Sequence, residues 1–438
     1  MMFALEALSR LRWLMVVGLG ACMACTPAEP EKLAKAPPLA GRVDVQGGSA
    51  AQPGPSAEQA SEATPAAAAA PPVTEVPQLL TEAELQEGWI ALFDGKTLFG
   101  WEAATDANWR VEDGAIVVDQ GTPGLLCTKA EFTDYVLQLE YRSPTETNSG
   151  VFVHTPVKPQ DAAVDCYEIN IASSDNPFPT GSLVKRQKAA EVPPDTDWQM
   201  MQITVQEGHV QVLVNGNGVL DILPTPTLRR GHIGLQLNSG AVAFRNIRLK
   251  PLVLTSLFNE KDLTGWKSYP EMASRFTVTP EGWLHVENGR GQLETEQSYG
   301  DFLLQLECQT HAPELNSGIF YRCIPGQTMN GYEVQIHNGI RDSDRSRPVD
   351  CGTGGIFRRQ NARLVVADDQ TFFHMTIVAT GAHVSTWVNG YPVADWTDER
   401  PPHENPRQGL RVEPGTIMLQ GHDPTTQISF RNLRIASY

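Results

Sequence analysis

A chain of 438 residues is long enough for two or three domains, each burying its own core. Its formal charge of −17 at pH 7 excludes nucleic acid as a partner and electrostatic docking on an anionic membrane, because both need a basic surface. Glycine, proline and β-branched residues interrupt nearly every apolar run and no long 3.6-residue periodicity is present, which excludes a helical bundle and predicts an all-β chain.

At the N-terminus, Arg10 and Arg12 precede an apolar run over residues 13–19, too short for a permanent membrane span. The run ends Leu19-Gly20-Ala21-Cys22, which resembles a bacterial lipobox. Residues 1–22 therefore read as a lipoprotein signal peptide with Cys22 as the lipidated residue. The expectation is an exported cell-envelope protein, on the outer membrane or facing the periplasm, held to the membrane only by its N-terminal lipid. The duller reading is an ordinary cleaved signal whose cysteines are incidental. Residues 23–80 are rich in Ala, Pro, Ser and Gly, with no aromatic residue beyond 26, and read as a disordered linker. At its end, Thr81 and Glu84 have the spacing of a helix capping box.

From there the chain repeats itself. Leu92-Phe93-Asp94-Gly95-Lys96 with Trp101 is answered by Leu257-Phe258-Asn259-Glu260-Lys261 with Trp266. Leu137-Gln138-Leu139-Glu140 is answered by Leu304-Gln305-Leu306-Glu307. Asn148-Ser149-Gly150-Val151-Phe152-Val153-His154 is answered by Asn316-Ser317-Gly318-Ile319-Phe320-Tyr321-Arg322. Tyr167-Glu168-Ile169-Asn170 then matches Tyr332-Glu333-Val334-Gln335, Val214-Asn215-Gly216 matches Val388-Asn389-Gly390, and Phe244-Arg245-Asn246 matches Phe430-Arg431-Asn432. Anchors in one order mean a tandem duplication, read as residues 81–251 and 252–438, each of one-domain size. Short alternating strands separated by turn signals predict a sandwich or jelly roll, and the Asn-Gly pairs are hairpin turns because both positions need positive φ. A boundary near Pro251 leaves almost no linker, so close packing of the two domains is expected. Trp101 and Trp266 are expected in the core, and the Arg-Asn pairs are expected to close the sandwich.

This series of anchors resembles the 3-keto-disaccharide hydrolase domain family over both units. The resemblance implies two tandem concanavalin-like β-sandwiches acting on glycosides already oxidised to a ketone at C3. The partner would be an oxidised disaccharide or glycoside. A C3 ketone acidifies the C2 proton, so a base can remove it, the C1 oxygen can leave, and water can add. Such chemistry needs a base, an acid for the leaving oxygen, and a donor for the enolate oxygen.

Alternation puts Glu333, Gln335 and His337 on one strand face, and Gln305, Glu307 and Gln309 on another, both expected to line one polar concave surface. The candidate roles are Glu333 or His422 as base, Glu307 as acid or orienting carboxylate, and Arg322 on substrate or on the developing charge. Asn316, Gln335, His337 and Asp423 are candidate substrate contacts. Glu140, Asn148, His154 and Glu168 are their first-domain counterparts. The first domain has His154 where the second has Arg322 and lacks His422 and Asp423, so the second is expected to be the active one. A divalent metal on His422, Asp423 and Glu333 is left open, without a ligand spacing that selects one. Asn316-Ser317-Gly318 and its twin also fit turn chemistry. Five cysteines remain after export, and Cys308 with Cys323, on consecutive predicted strands, are candidates for a disulfide. The alternative function is a carbohydrate-binding envelope protein without catalysis.

Overall fold

The computed structural model describes residues 72–193 and 197–438. The signal-peptide reading, Cys22 and the linker up to residue 71 lie outside the described residues. The last part of the expected linker is ordered. Val73 N donates to Asp344 Oδ1 at 3.0 Å, and Val76 and Leu79 pack on the second domain's core. Apolar residues spaced through this segment give it surface to bury, which the Ala/Pro composition of the preceding stretch concealed. The helix Glu82–Gln86 follows, with the Thr81–Glu84 capping box formed.

Each domain is an antiparallel sandwich of an eight-stranded and a five-stranded sheet. The five-stranded sheets carry the sequence motifs. In the first domain the order is Trp101–Ala103, Gly124–Thr128, His232–Leu237, Ser149–Thr155, Tyr167–Ile171. In the second it is Trp266–Lys267, Gly291–Thr295, Thr416–Gly421, Ser317–Cys323, Tyr332–Ile336. The strand bearing Glu168 or Glu333 is therefore an edge in both domains. The Thr-Gly loops cover that edge, since Val184 N donates to Glu168 O at 3.0 Å and Phe357 N to Glu333 O at 2.9 Å.

The repeated anchors close each sandwich in the same way. Trp101 Nε1 donates to Leu92 O at 2.7 Å and Trp266 Nε1 to Leu257 O at 3.1 Å, fixing both indoles in the core. Asn215-Gly216 and Asn389-Gly390 have positive φ throughout, as a two-residue hairpin turn requires. The two domains pack directly on each other. Leu303, Val378 and Trp387 join the first domain's core, and Trp387 Nε1 donates to Ala91 O at 2.8 Å.

Two expectations are corrected here. All five cysteines among the described residues are free and buried. Cys308 faces the second core, whereas Cys323 sits with Phe320, Met329 and Met418 on the far side of the opposite sheet, so the two thiols cannot meet. Glu307 does not share a surface with Glu333. It lies on the strand Phe302–Thr310 of the eight-stranded sheet, where Arg431 Nε and Nη2 donate to Oε2 at 2.8 and 2.6 Å and Asn432 donates to Oε1. Glu140 is bound by Arg245 and Asn246 in the same manner. Asn246 and Asn432 have positive φ at a shift in strand register, so each carboxylate clamps a β-bulge.

The clamp assigns Glu307 to stability. Glu307→Ala leaves Arg431 and Asn432 without their shared acceptor and is expected to cost about 1–2 kcal/mol, because the half-exposed guanidinium can rehydrate. Urea unfolding would read this. A folded Glu307→Ala protein with unchanged stability and lost turnover would return Glu307 to the site.

Candidate active site

The site is the outer face of the second five-stranded sheet. Alternation puts Tyr332, Val334 and Ile336 into the core and Glu333 and Gln335 outside, yet both are buried beneath covering loops. Across the sheet one row reads Glu294, Met418, Phe320, Glu333, and the next Gln292, Gln420, Gly318, Gln335. The row of amides is interrupted by one glycine. A Cβ placed on Gly318 would lie 2.9 Å from Glu333 Oε1 and 3.1 Å from its Cγ. The missing side chain is the space in which the carboxylate lies. Ser317 Oγ donates to Gln420 O at 2.7 Å and holds the neighbouring strand. Asn316-Ser317-Gly318 is thus a strand-edge device and not a turn, and in the first domain Ser149 Oγ does the same to Gln236 O at 2.6 Å.

Burial raises the Glu333 pKa above the usual carboxylate range, with Arg407 and His422 opposing and the exposed Asp350 adding to the rise. Arg407 Nη2 donates to Glu333 Oε2 at 3.1 Å and to Met329 O at 3.2 Å, and the guanidinium lies over Phe320 with its carbon 5.0 Å from the ring centre. Among the described residues, Glu333 Oε1 accepts no hydrogen bond and Arg407 Nε and Nη1 donate none. Arg407 comes from the loop 398–415, which corresponds to the shorter loop 223–231 of the first domain. Tyr332, on the inner side of the Glu333 strand, anchors that loop. Its hydroxyl donates to Asp398 Oδ2 at 2.7 Å and accepts from Arg411 N at 2.8 Å. Burial alone would raise Asp398, but Arg400 and Tyr332 hold it below its ordinary range.

Two buried amide oxygens in the site are also unsatisfied. Gln335 Nε2 donates to Asn316 Oδ1 at 2.8 Å and to Asp350 Oδ2 at 3.2 Å, while Gln335 Oε1 is buried without a partner. Gln420 Oε1 is likewise buried and unpartnered. By contrast, Glu294 is fully engaged, accepting from Thr416 Oγ1 at 2.6 Å, Gly326 N at 3.1 Å and the Tyr269 hydroxyl.

The remaining predicted residues divide. His422 stands at the rim with its Nδ1 2.9 Å from Asp423 Oδ2. His337 is buried at the end of the Glu333 strand, where its Nδ1 accepts from Gly339 N at 3.1 Å. Arg322 does not reach this face. A register shift between Phe320 and Cys323, with positive φ at Arg322, turns it to the end of the sandwich. There it is buried, paired with Asp301 at 2.8 Å and bonded to Gly381 O. His154 stands at the same bulge and contacts Leu228 O and Thr133 O. Among the described residues no three His, Cys, Asp or Glu side chains converge as a metal-binding group, so His422, Asp423 and Glu333 do not form the ligand set left open by sequence.

The residues that sequence reasoning missed are Arg407, Gln420, Asp350 and Gln292. Gln420 follows from alternation along Leu419-Gln420-Gly421. Arg407 lies far from Glu333 in sequence, and the only signal for it is the extra length of its loop.

In the first domain Glu168 occupies the Glu333 position, beside Gly150 and Gln236. Burial raises its pKa, with Gln236 and Lys185 opposing. Among the described residues it forms no ion pair, and Lys185 is held by Asp161 at 2.8 Å. Asn148 pairs with Ser239 through the backbone at the end of the same sheet.

The sequence profile described as the 3-keto-alpha-glucoside-1,2-lyase-like domain matches residues 88–250 and 254–436. A curated relative, the 3-keto-disaccharide hydrolase of Bacteroides thetaiotaomicron, is 26% identical, over 38% of this chain and 79% of its own length. Among solved structures, a Parabacteroides distasonis protein provisionally named a glycosyl hydrolase is 21% identical, with a TM-score of 0.36 over 40% of this chain and 99% of its own. A Bacillus subtilis protein with a galectin-like fold is 12% identical, with a TM-score of 0.30 over 42% of this chain and 95% of its own. With both sandwiches matched, the chain belongs, twice over, to the 3-keto-alpha-glucoside-1,2-lyase-like domain family.

Proposed function

We propose that the second domain cleaves glycosides whose sugar ring carries a ketone at C3. The observation that carries this reading is Glu333, a buried carboxylate of raised pKa with one free oxygen, beside an arginine with unspent donors. Glu333 takes the C2 proton. The electron pair forms the C1–C2 double bond as the C1–oxygen bond breaks, and the departing oxygen takes a proton from His422, oriented by Asp423. Arg407 faces the negative charge that develops on the C3 oxygen. Water then adds across C1 and C2, giving net hydrolysis. The orphaned oxygens of Gln335 and Gln420 accept from sugar hydroxyls, an interaction that also relieves their own burial cost. The competing reading, sugar binding without catalysis, differs in one result, which is binding of the 3-keto glucoside without release of its aglycone.

Glu333→Gln is expected to lower kcat/KM on a 3-keto glucoside by about a hundredfold or more, within the range of a lost general base, and to leave the unoxidised glucoside uncleaved as before. The base must be ionised, so kcat/KM should rise with pH along an acid limb lying above the ordinary glutamate range. Arg407 favours the ionised form, so Arg407→Gln should move that limb to higher pH as well as lowering the plateau. An acid limb unmoved in Arg407→Gln, or full turnover in Glu333→Gln, would remove the assignment.

Gly318→Ala tests the space beside the carboxylate. The added methyl forces Glu333 aside at an overpacking cost of about 1–3 kcal/mol, and a displaced base is expected to lose about tenfold or more in kcat/KM. Gly218→Ala is the control, since a Cβ there meets nothing within 4 Å. Equal activity in the two variants would show that Gly318 has no part in placing the base.

We further propose that the chain is exported and anchored through lipid on Cys22, supported by the basic start, the apolar run and the small-small-cysteine junction. Labelling of expressing cells with radioactive palmitate should mark the protein and fail to mark Cys22→Ser. Equal labelling of both would dismiss the anchor.

A further inference from the structure

The outer face of the first five-stranded sheet differs from its counterpart in what fills it. In the second domain Met418 and Met329 lie over Phe320, and Gln292 holds the covering loop by accepting from Met329 N at 2.7 Å. In the first domain Gly234 stands at the Met418 position and Leu125 at the Gln292 position. The result is a cavity of about 420 Å³. Its floor is the apolar cluster Leu125, Phe152 and Cys166, and Val157 and Ala162 form one wall. Glu168 and Gln236 line the cavity side by side, with Gln236 Oε1 buried without a partner, and Thr105, Lys158, Gln160 and Asn238 complete its polar lining.

We infer that this first-domain cavity is a separate binding site for an uncharged aryl glycoside, with the aryl group on the Leu125–Phe152 floor and a sugar hydroxyl donating to Gln236 and Glu168. Its volume falls within the range of small-molecule sites, which are mostly apolar with a few convergent polar groups. No arginine corresponds to Arg407, and the cation of the lining, Lys158, is exposed to solvent, so the chemistry favours retention of a neutral ligand over turnover. Glu168 disfavours an anionic group beside Gln236, and a purely polar sugar leaves the apolar floor uncovered. The inference stands apart from the proposed activity of the second domain, because it concerns different residues and an unoxidised ligand.

The test is calorimetric titration of the full chain carrying Glu333→Gln with 4-nitrophenyl β-D-glucoside, beside glucose and 4-nitrophenyl phosphate. One saturable site for the aryl glucoside is expected, with at least tenfold weaker binding of the other two. Gly234→Met rebuilds the filling seen in the second domain, and Ala104→Phe narrows the cavity from its rim. Each is expected to weaken the aryl glucoside at least tenfold with thermal unfolding little changed. Should Gly234→Met fail to fold, Ala104→Phe decides alone. In an otherwise unmutated chain both variants should cleave 3-keto glucosides at the full rate, so failure of the second-domain reading and failure of this one give different results. Absence of binding at millimolar ligand, or binding that survives the filled cavity, would overturn the inference.

Discussion

The carboxylate of Glu333, laid flat across a β-sheet, needs a neighbour with no side chain, and the second domain's site is arranged around that requirement. Gly318 supplies it for Glu333, whereas a Cβ on Gly150 would meet Glu168 Cγ at an ordinary 3.4 Å and crowd only the Ile169 carbonyl oxygen, at 3.2 Å. The adjacent serine fixes the next strand by donating to the backbone of Gln420 or Gln236, which sets the amide across the gap from the carboxylate. Three consecutive residues thereby define a floor, a gap and a partner. The glycine costs backbone entropy, and here that cost gives room for a charged group instead of a turn.

The second constraint comes from the edge. Because the glutamate strand has sheet on only one side, a loop can pass around it and touch both of its faces. Tyr332 on the inner face grips the loop 398–415, and Arg407 of that loop reaches Glu333 on the outer face. Tyr167 grips the corresponding loop by accepting from Leu228 N at 2.6 Å, but the shorter loop brings no arginine to Glu168. Loop length, with the backbone kept the same, decides whether the carboxylate has a charged partner. The exchange of Met418 for Gly234 then decides whether the face is filled or open. A duplicated sandwich has come to hold two different environments around one glutamate.

Much of the fold was legible because its signals are local. Alternation separated inward from outward residues in Phe302–Thr310 and Tyr332–Ile336, the Asn-Gly pairs located hairpins, and the duplicated anchors foretold two sandwiches. Alternation does not say which sheet a strand joins, and that is why Glu307 was expected beside Glu333 when the two lie on opposite sheets. Nor does it see a bulge. One extra residue at Arg322 turns that side chain from the sheet face to the end of the sandwich, where it pairs with Asp301. The thiols failed for the first reason, since Cys308 and Cys323 are close in sequence and stand on different sheets. Arg407 was hidden by distance along the chain, because the contact depends on how a long loop is pinned and leaves no periodic trace.

What sets Glu333 apart from the structural carboxylates of this protein is the number of hydrogen bonds that its oxygens accept. Glu307 and Glu294 each accept hydrogen bonds at both oxygens, so neither oxygen is free to take a proton from a substrate. Glu333 is equally buried but accepts from a single guanidinium nitrogen, and burial raises its pKa against that one contact. An under-satisfied buried anion is expensive to keep, and it persists where a ligand or a proton completes it. The orphaned oxygens of Gln335 and Gln420 follow the same rule on the same face. The clamps at the bulges satisfy their glutamates, and the sheet faces beside Gly318 and Gly150 keep buried amide oxygens without partners, so the two kinds of glutamate can be told apart by their hydrogen bonds where burial alone would group them together.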